Sequence, residues 1–438
     1  MKVAKRILAL SALILFLSHI TFCPQVLVFG GQRYQLLIIG PEAYKNQIER
    51  FMVFKESLGL SSRFASIEYI NSIFEGLEIA VKIHEFVADE YRRSGISYLL
   101  LVGDYKQVPA KYVYSPSYEE GFADFNYKPT DWYYGVPNWS ESQTGLLSGN
   151  IPEIAVGRLP VKNVSELENY ISKIVNVESE VRQGLFIVYS SLGVTVNPTL
   201  DLQYAYFKGD AEIKPLTQVL KGEVAYAITY THGDPSGLWV KSEEGVWKAI
   251  MSCGDVEAFE ASYNIHFLAA CFTGALDLQS ESLGRVMAVS PRGPALVIAS
   301  SRTQTCDDPI ISYFWKNYFE TGDVGKSILK AIKEYLSDGR IFSIEKPKFQ
   351  KYNLYLSKVV YGDISWRVKN PMATLSSNFS FKTINETEVL NFSHIAVWDG
   401  NLQPISSAVF YPLILFICFA FKRLVQRVLR SLKACRMF

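Results

Sequence analysis

The chain has 438 residues, enough for about two or three domains with a substantial buried core. Its 44 basic and 43 acidic residues give a formal charge of +1, which argues against a strongly basic nucleic-acid binder and against an acidic solvating tail. Charged residues make up 20% and mean hydropathy is +0.09, so disorder is excluded for most of the chain.

Lys2, Lys5 and Arg6 precede an apolar run from Ile7 to Leu17. That is the pattern of a secretory leader, expected over residues 1–28. An uncleaved anchor is the alternative, because no small-x-small site follows. Tyr34 to Ile39, ended by Gly40-Pro41, suits a buried parallel strand. Ile79, Ile83, Phe86 and Val87 recur at helical spacing, and Gly95 closes that helix. Tyr98 to Val102 is the next strand, ending in Gly103-Asp104. A strand–helix–strand unit predicts a parallel sheet. A Tyr- and Pro-rich loop region runs from Val108 to Asn150. Asn163, with Glu166 three residues on, reads as a capping box opening a helix through Val175. These elements define a first α/β unit over residues 33–183.

A second unit is expected over 184–345. Its strands are Leu185 to Tyr189, Val224 to Tyr230, Ile265 to Ala270 and Ala295 to Ser300; its helices cover Val246 to Ala261 and Ser327 to Leu336. The expected fold class is α/β, a mostly parallel sheet with helices on both faces. Residues 346–404 finish this unit and form a juxtamembrane stalk. Five glycan-acceptor sequons occur, at Asn138, Asn163, Asn378, Asn385 and Asn391, and the last three crowd into the stalk. Ile405 to Phe421 is 17 residues without a charge, at the short limit for a membrane-spanning helix. Lys422, Arg423, Arg427, Arg430, Lys433 and Arg436 follow, which puts residues 422–438 in the cytoplasm by the positive-inside rule. The body is then expected at the cell surface, on a single-pass anchor. That tail holds six of the 44 basic residues, so the rest of the chain is mildly acidic, 38 against 43.

Of six cysteines, only Cys253, Cys271 and Cys306 fall in the outward-facing body. An odd count outside the cell suggests a leftover thiol. Pairing Cys253 with Cys306 and leaving Cys271 free is one consistent solution.

Ligands of open α/β sheets bind beyond the carboxyl ends of the strands. His232 and Cys271 both fall at such ends, on consecutive strands that read as parallel neighbours joined by a helix. The other histidines lie elsewhere: His19 in the leader, His84 on a helix, His266 inside a strand, His394 in the stalk. A thiolate attacks carbonyls, and a nearby imidazole favours that form or protonates a leaving amine. A small core cysteine and a structural histidine are the competing interpretation. Four close Cys/His ligands for zinc are lacking, no glycine-rich phosphate motif opens a helix, and no GxSxG elbow is present. No cofactor is expected. Structural calcium on Asp234, Asp307 and Asp308 is the one allowance, without an EF-hand pattern to support it.

At this point the residues resemble gingipain-type peptidases, within the caspase-like clan of cysteine peptidases. YLLLVGD with Val108-Pro109, TDWYYG (130–135), PEIAVGRLPV (152–161), THGD (231–234), AACFTG (269–274) and ASSRT (299–303) carry the resemblance, with VVYGDISWRV (359–368) more loosely. They stand in family order between residues 34 and 370. The resemblance implies a caspase-like fold of two α/β subdomains. It implies an endopeptidase acting on peptide or protein substrates through an acyl-enzyme. Cys271 would be the nucleophile and His232 the general acid/base, and the N–H groups of Gly233 and Cys271 would form the oxyanion hole. Glu153 is the candidate carboxylate for orienting the histidine. Glu166 is a candidate acidic element of the substrate pocket, in competition with its capping role, and Arg302 lies near the same pocket. Two departures from the best-known members are expected: no long pro-segment between leader and first strand, and an anchor in place of further domains. Acyl transfer to an amine by a transamidase-like enzyme stays open, as does a non-catalytic receptor on a peptidase scaffold.

Overall fold

The computed structural model describes residues 33–371, apart from 116–125, 141–149, 180–184, 191–204, 209–215, 221–223, 242–244, 261, 305–307, 339–353 and 370. The expected leader, the Asn378–Asn391 sequons, the apolar run 405–421 and the basic tail lie outside the described residues, as does Cys306. Among the described residues no helix is long and apolar enough to cross a membrane.

The chain begins with β1 (Leu36–Gly40), α1 (Lys45–Ser57), β2 (Ser62–Ser66), α2 (Ile67–Ile73), α3 (Ile79–Ser94) and β3 (Tyr98–Val102). Then come β4 (Lys111–Tyr114), β5 (Tyr127–Thr130), β6 (Ala155–Leu159) and α4 (Val164–Ser179). The next strands are β7 (Leu185–Ser190), β8 (Ala205–Lys208), β9 (Val224–Tyr230), β10 (His232–Asp234), β11 (Gly237–Lys241), β12 (Trp247–Ser252) and β13 (Ser262–Ala269). The described part closes with α5 (Leu283–Val289), β14 (Gly293–Ser300), α6 (Pro309–Thr321), α7 (Val324–Ser337) and β15 (Lys358–Gly362).

Ten strands form one sheet in the order β2-β1-β3-β6-β15-β14-β13-β9-β7-β8. Every pairing in it is parallel except β14 with β15. The first and second units therefore share a single sheet, and β15 joins them. The one antiparallel step also reverses direction. The amino ends of β3 and β6 consequently lie on the same sheet edge as the carboxyl ends of β9, β13 and β14.

Burial on both faces explains the continuous apolar runs. Along β14, Leu296 and Ile298 belong to one core cluster, while Val297 and Ala299 belong to the other. Phe314, Trp315, Tyr318, Ile328 and Ile332 of α6 and α7 cover the first face, and Leu283 and Met287 of α5 help cover the second. The helix ends follow local chemistry. Asp308 caps α6 by accepting the Ile310 N–H at 2.9 Å, and Pro309 occupies the first turn, where its missing N–H costs nothing. Gly95 closes α3 with φ of 67°, in the left-handed region that glycine occupies without strain.

Several segments that carry the resemblance meet at one buried cation. Arg158 on β6 is fully buried and forms a bidentate pair with Asp131 (2.8 and 2.6 Å). It also donates to the carbonyls of Gly103 and Val108, each at 2.8 Å. Trp132 Nε1 donates to the Lys358 carbonyl at 2.9 Å, and the Tyr134 hydroxyl bonds the Pro109 carbonyl. A buried charge is tolerable when it is paired and its donors are satisfied, and this one locks the 103–108 and 131 loops to the sheet.

The stretch from Val246 to Ala261 corrects one expectation. It is not a helix: β12 pairs with β11 in a three-stranded antiparallel sheet, and a 3₁₀ turn over Cys253–Ala258 follows. Antiparallel pairing with β11, the strand just before it in the chain, outweighs the helical reading, and Gly254 is a poor helix former. β9 and β13 are nonetheless parallel neighbours.

Candidate active site

β9 and β13 pair in parallel register up to Tyr230 opposite Ala269. His232 and Cys271 lie just beyond that last pair. The His232 main chain leaves the central sheet and pairs with Trp239 of β11. Its exposed imidazole meets the Trp247 ring edge-on, with centroids 4.9 Å apart. Gly233 shows how tightly the two tips abut. A Cβ built there would stand 2.9 Å from the Cys271 carbonyl oxygen, the Ala270 Cβ and the Thr273 Cγ2. Only a residue without a side chain fits at that approach.

The Cys271 turn is held from β14. Phe272 N–H donates to the Arg302 carbonyl at 3.1 Å, and Gly274 N–H to the Ser300 carbonyl at 2.8 Å. Between them Phe272 adopts φ of 57°, a conformation that costs a non-glycine residue about 1–2 kcal/mol and clusters at functional sites. The half-buried Cys271 sulfur accepts the Gln304 main-chain N–H at 3.3 Å. The same sulfur lies 3.6 Å from the Gln304 carbonyl oxygen. A polarised N–H aimed at sulfur favours the thiolate.

The remaining expected site residues are distributed as follows. Glu153 precedes β6 and so stands on the same sheet edge, but its carboxylate accepts the Tyr91 hydroxyl at 2.6 Å. Strands β15, β14 and β13 intervene between β6 and β9, so the structure does not bring Glu153 to His232. Glu166 opens α4 beyond the carboxyl end of β6, on the opposite edge. Its main-chain N–H bonds the Asn163 side chain at 3.0 Å, and its carboxylate accepts the Lys162 N–H at 2.8 Å and Arg285 Nη2 at 2.7 and 2.6 Å. The cap therefore forms, with the return bond one residue earlier than the standard box. Arg302 is on the Cys271 edge, buried, and bidentate to Asp277 at 3.1 and 2.6 Å.

Asp234 closes its own turn, accepting from Ser236 N–H, Ser236 Oγ and Gly237 N–H at 2.7, 2.6 and 3.0 Å. Asp308 caps α6, and Asp307 is outside the described residues. Among the described residues no three His, Cys, Asp or Glu side chains cluster as metal ligands. Cys253 is a free thiol bonded to the Glu281 carbonyl at 2.9 Å; burial, then the Asp234 charge, push its pKa up to about 11.

Sequence reasoning missed the groups behind Cys271. Ser300, Gln304, Asp308 and Lys358 form one buried polar network, with Lys358 and Asp308 ion-paired at 2.8 Å. Lys358 lies 87 positions after Cys271, so no local spacing announces it.

The model of peptidase family C25 matches residues 30–368, and the chain belongs to that family. Gingipain R2 of Porphyromonas gingivalis is 24% identical over 375 residues, covering 78% of this chain and 46% of the relative. Gingipain R1 of the same species is 23% identical over 412 residues, covering 86% and 38%. An uncharacterized protein of Archaeoglobus fulgidus is 22% identical over 267 residues, covering 55% and 57%. The chain thus spans less than two-thirds of the length of these relatives. Among solved structures, the Arg specific cysteine proteinase gingipain R superposes with a TM-score of 0.58 at 17% identity, covering 78% of this chain and 79% of that one. The complex of the Porphyromonas gingivalis RgpB pro- and mature domains gives 0.57 at 20% identity, with 77% and 80% covered. The fold is accordingly a mixed α/β fold with a mostly parallel sheet flanked by helices, like the gingipain structures.

Proposed function

We propose that the protein is a cysteine endopeptidase in which Cys271 attacks and His232 transfers protons. The observation that carries this is the packing of Gly233 against the Cys271 turn, which sets the imidazole-bearing segment beside the thiol-bearing turn. Membership of family C25 and the gingipain-like fold support the same reading.

In the proposed reaction the Cys271 thiolate attacks the scissile carbonyl carbon. The negative oxygen of the tetrahedral adduct faces the main-chain N–H groups of Gly233 and Cys271. Collapse breaks the C–N bond as protonated His232 gives its proton to the departing amine, leaving a thioester. His232 then takes a proton from water, the hydroxide attacks the thioester, and the acid and free thiol are released. Glu153 acts at most through space on His232, because its carboxylate holds Tyr91. The exposed Tyr112, Tyr114 and Tyr127 of the β4–β5 hairpin and the exposed Trp247 offer apolar surface on the same side to a peptide. The basic leader, the uncharged run 405–421 and the basic tail support a body held outside the cytoplasm by one anchor, with the sequons as glycan acceptors.

Covalent trapping tests this assignment. A peptidyl acyloxymethyl ketone incubated with the full chain should leave its adduct on Cys271, located by peptide mapping, and His232→Ala should slow its formation. An adduct that forms only on Cys253 would refute the assignment.

A further inference from the structure

We infer that the buried Lys358–Asp308 pair is a positioning device for the candidate nucleophile: it fixes Gln304, whose main-chain N–H is then aimed at the Cys271 sulfur. The inference rests on Cys271 being the reactive thiol, as proposed above. Gln304 Oε1 accepts from Ser300 Oγ at 2.7 Å and from Lys358 Nζ. Gln304 Nε2 donates to Asp308 Oδ2 at 2.8 Å. Lys358 Nζ also reaches Asp308 Oδ2 at 2.8 Å and Ser300 Oγ at 3.1 Å. Every polar atom of the Gln304 side chain is therefore engaged.

The four residues come from four places. Ser300 ends β14, Lys358 begins β15, Asp308 caps α6, and Gln304 lies on the connection leaving β14. They tie the 301–304 segment, which also receives the Phe272 N–H, to the rigid edge of the sheet. A buried ion pair is a poor way to add stability, since desolvation offsets most of its attraction and apolar replacements are often no worse. Holding one geometry is what such a pair does well. The ammonium grips the Gln304 side chain, and the main-chain N–H of the same residue meets the sulfur, so the link between them is positional. Among the described residues, the charged and titratable groups on the elements flanking the Cys271 turn are His232 beyond β9, the Tyr230 hydroxyl, Arg302 with its Asp277, and the Lys358–Asp308 pair itself.

Alkylation of the full chain by iodoacetamide, with Cys271 followed by peptide mapping at pH 7 and pH 10, reads the thiol without needing a substrate. For Lys358→Met the Cys271 rate at pH 7 should fall about tenfold, the loss of one charge-assisted bond to sulfur, while the rate at pH 10 stays near that of the unchanged protein. Lys358→Arg should recover most of the loss. An unchanged rate at pH 7 overturns the inference, and so does an equal drop at both pH values that Lys358→Arg does not restore. Should Lys358→Met fail to fold, Gln304→Met keeps the ion pair and must show the same selective loss at pH 7, and an unchanged rate there overturns the inference. If the selective loss appears while Cys271→Ala leaves peptide cleavage intact, the positioning stands and the peptidase reading falls.

Discussion

A methyl group on Gly233 would stand 2.9 Å from the carbonyl oxygen of Cys271, closer than real Cβ atoms come to their neighbours. The two residues are 38 positions apart in the chain, and the contact exists because β9 and β13 run side by side in parallel. It makes the His232 segment and the Cys271 turn one structural unit. Gly233→Ala should therefore push the two tips apart. We expect kcat/KM on a peptide substrate to drop by about a hundredfold or more, because misplacing reacting groups by even ~1 Å is that costly. Thermal melting of the variant should also fall, because the atoms in the way include the Cys271 main-chain oxygen and the Ala270 Cβ, which cannot swing aside. A variant with unimpaired turnover would show that the close approach is incidental to catalysis.

Arg302 and Asp277 form a buried bidentate pair, with side chains 5% and 8% exposed. Removing one partner leaves the other charged and desolvated. Arg302→Met should destabilise the protein by about 3–5 kcal/mol, and adding Asp277→Leu should return most of that loss. Urea unfolding of the single and double variants checks this. Additive losses would mean the two side chains do not depend on each other.

Glu153 gives a graded expectation. Its bond to Tyr91 and its separation from β9 leave it only a through-space effect on His232. Glu153→Gln should lower kcat/KM by about tenfold or less, well short of the effect of His232→Ala. Initial rates on one peptide substrate compare the two directly. Equal losses would mean that Glu153 reaches His232 during turnover.

His266 sits inside β13 between the Thr229 hydroxyl at 2.8 Å and the Tyr263 hydroxyl at 2.7 Å, and burial lowers its pKa to about 3. The unfolded chain takes up that proton near pH 6.5 and the folded chain does not, so unfolding becomes easier as pH falls from about 6.5 toward 3. The loss amounts to a few kcal/mol across that window. In His266→Phe the acid limb should be shallower, although stability at pH 7 is lower because Thr229 and Tyr263 lose a partner. Urea midpoints at pH 4.5 and pH 7 measure both effects. An unaltered acid limb would assign the sensitivity to other groups.

The parts of the fold that were readable from the sequence are those whose signal is local. The apolar runs at Tyr98–Val102, Val224–Tyr230 and Gly293–Ser300 are strands because both faces of each are buried. Gly95 ends α3 where glycine is needed. The parts that were hidden depend on partners outside the segment itself. β2 carries an Arg and two Ser, so no apolar run announces it, and it forms by pairing with β1. β12 looked helical by spacing and is a strand because β11 is beside it. β15 reverses the sheet direction from 58 positions beyond the end of β14, and nothing in its own five residues indicates that place. The site divides in the same way. His232 and Cys271 stand at the tips of strands that could be read. Gln304, Asp308 and Lys358 matter through contacts that no spacing encodes; the capping role of Glu166 is legible from its spacing to Asn163, but its pairing with Arg285 is not.

Cleavage of a mixed peptide library by the full chain, run beside Cys271→Ala, tests the central claim most directly. A Cys271/His232 peptidase predicts new peptide termini with the unchanged protein and none with Cys271→Ala, whose circular dichroism stays the same. The same cleavage pattern from Cys271→Ala would contradict it.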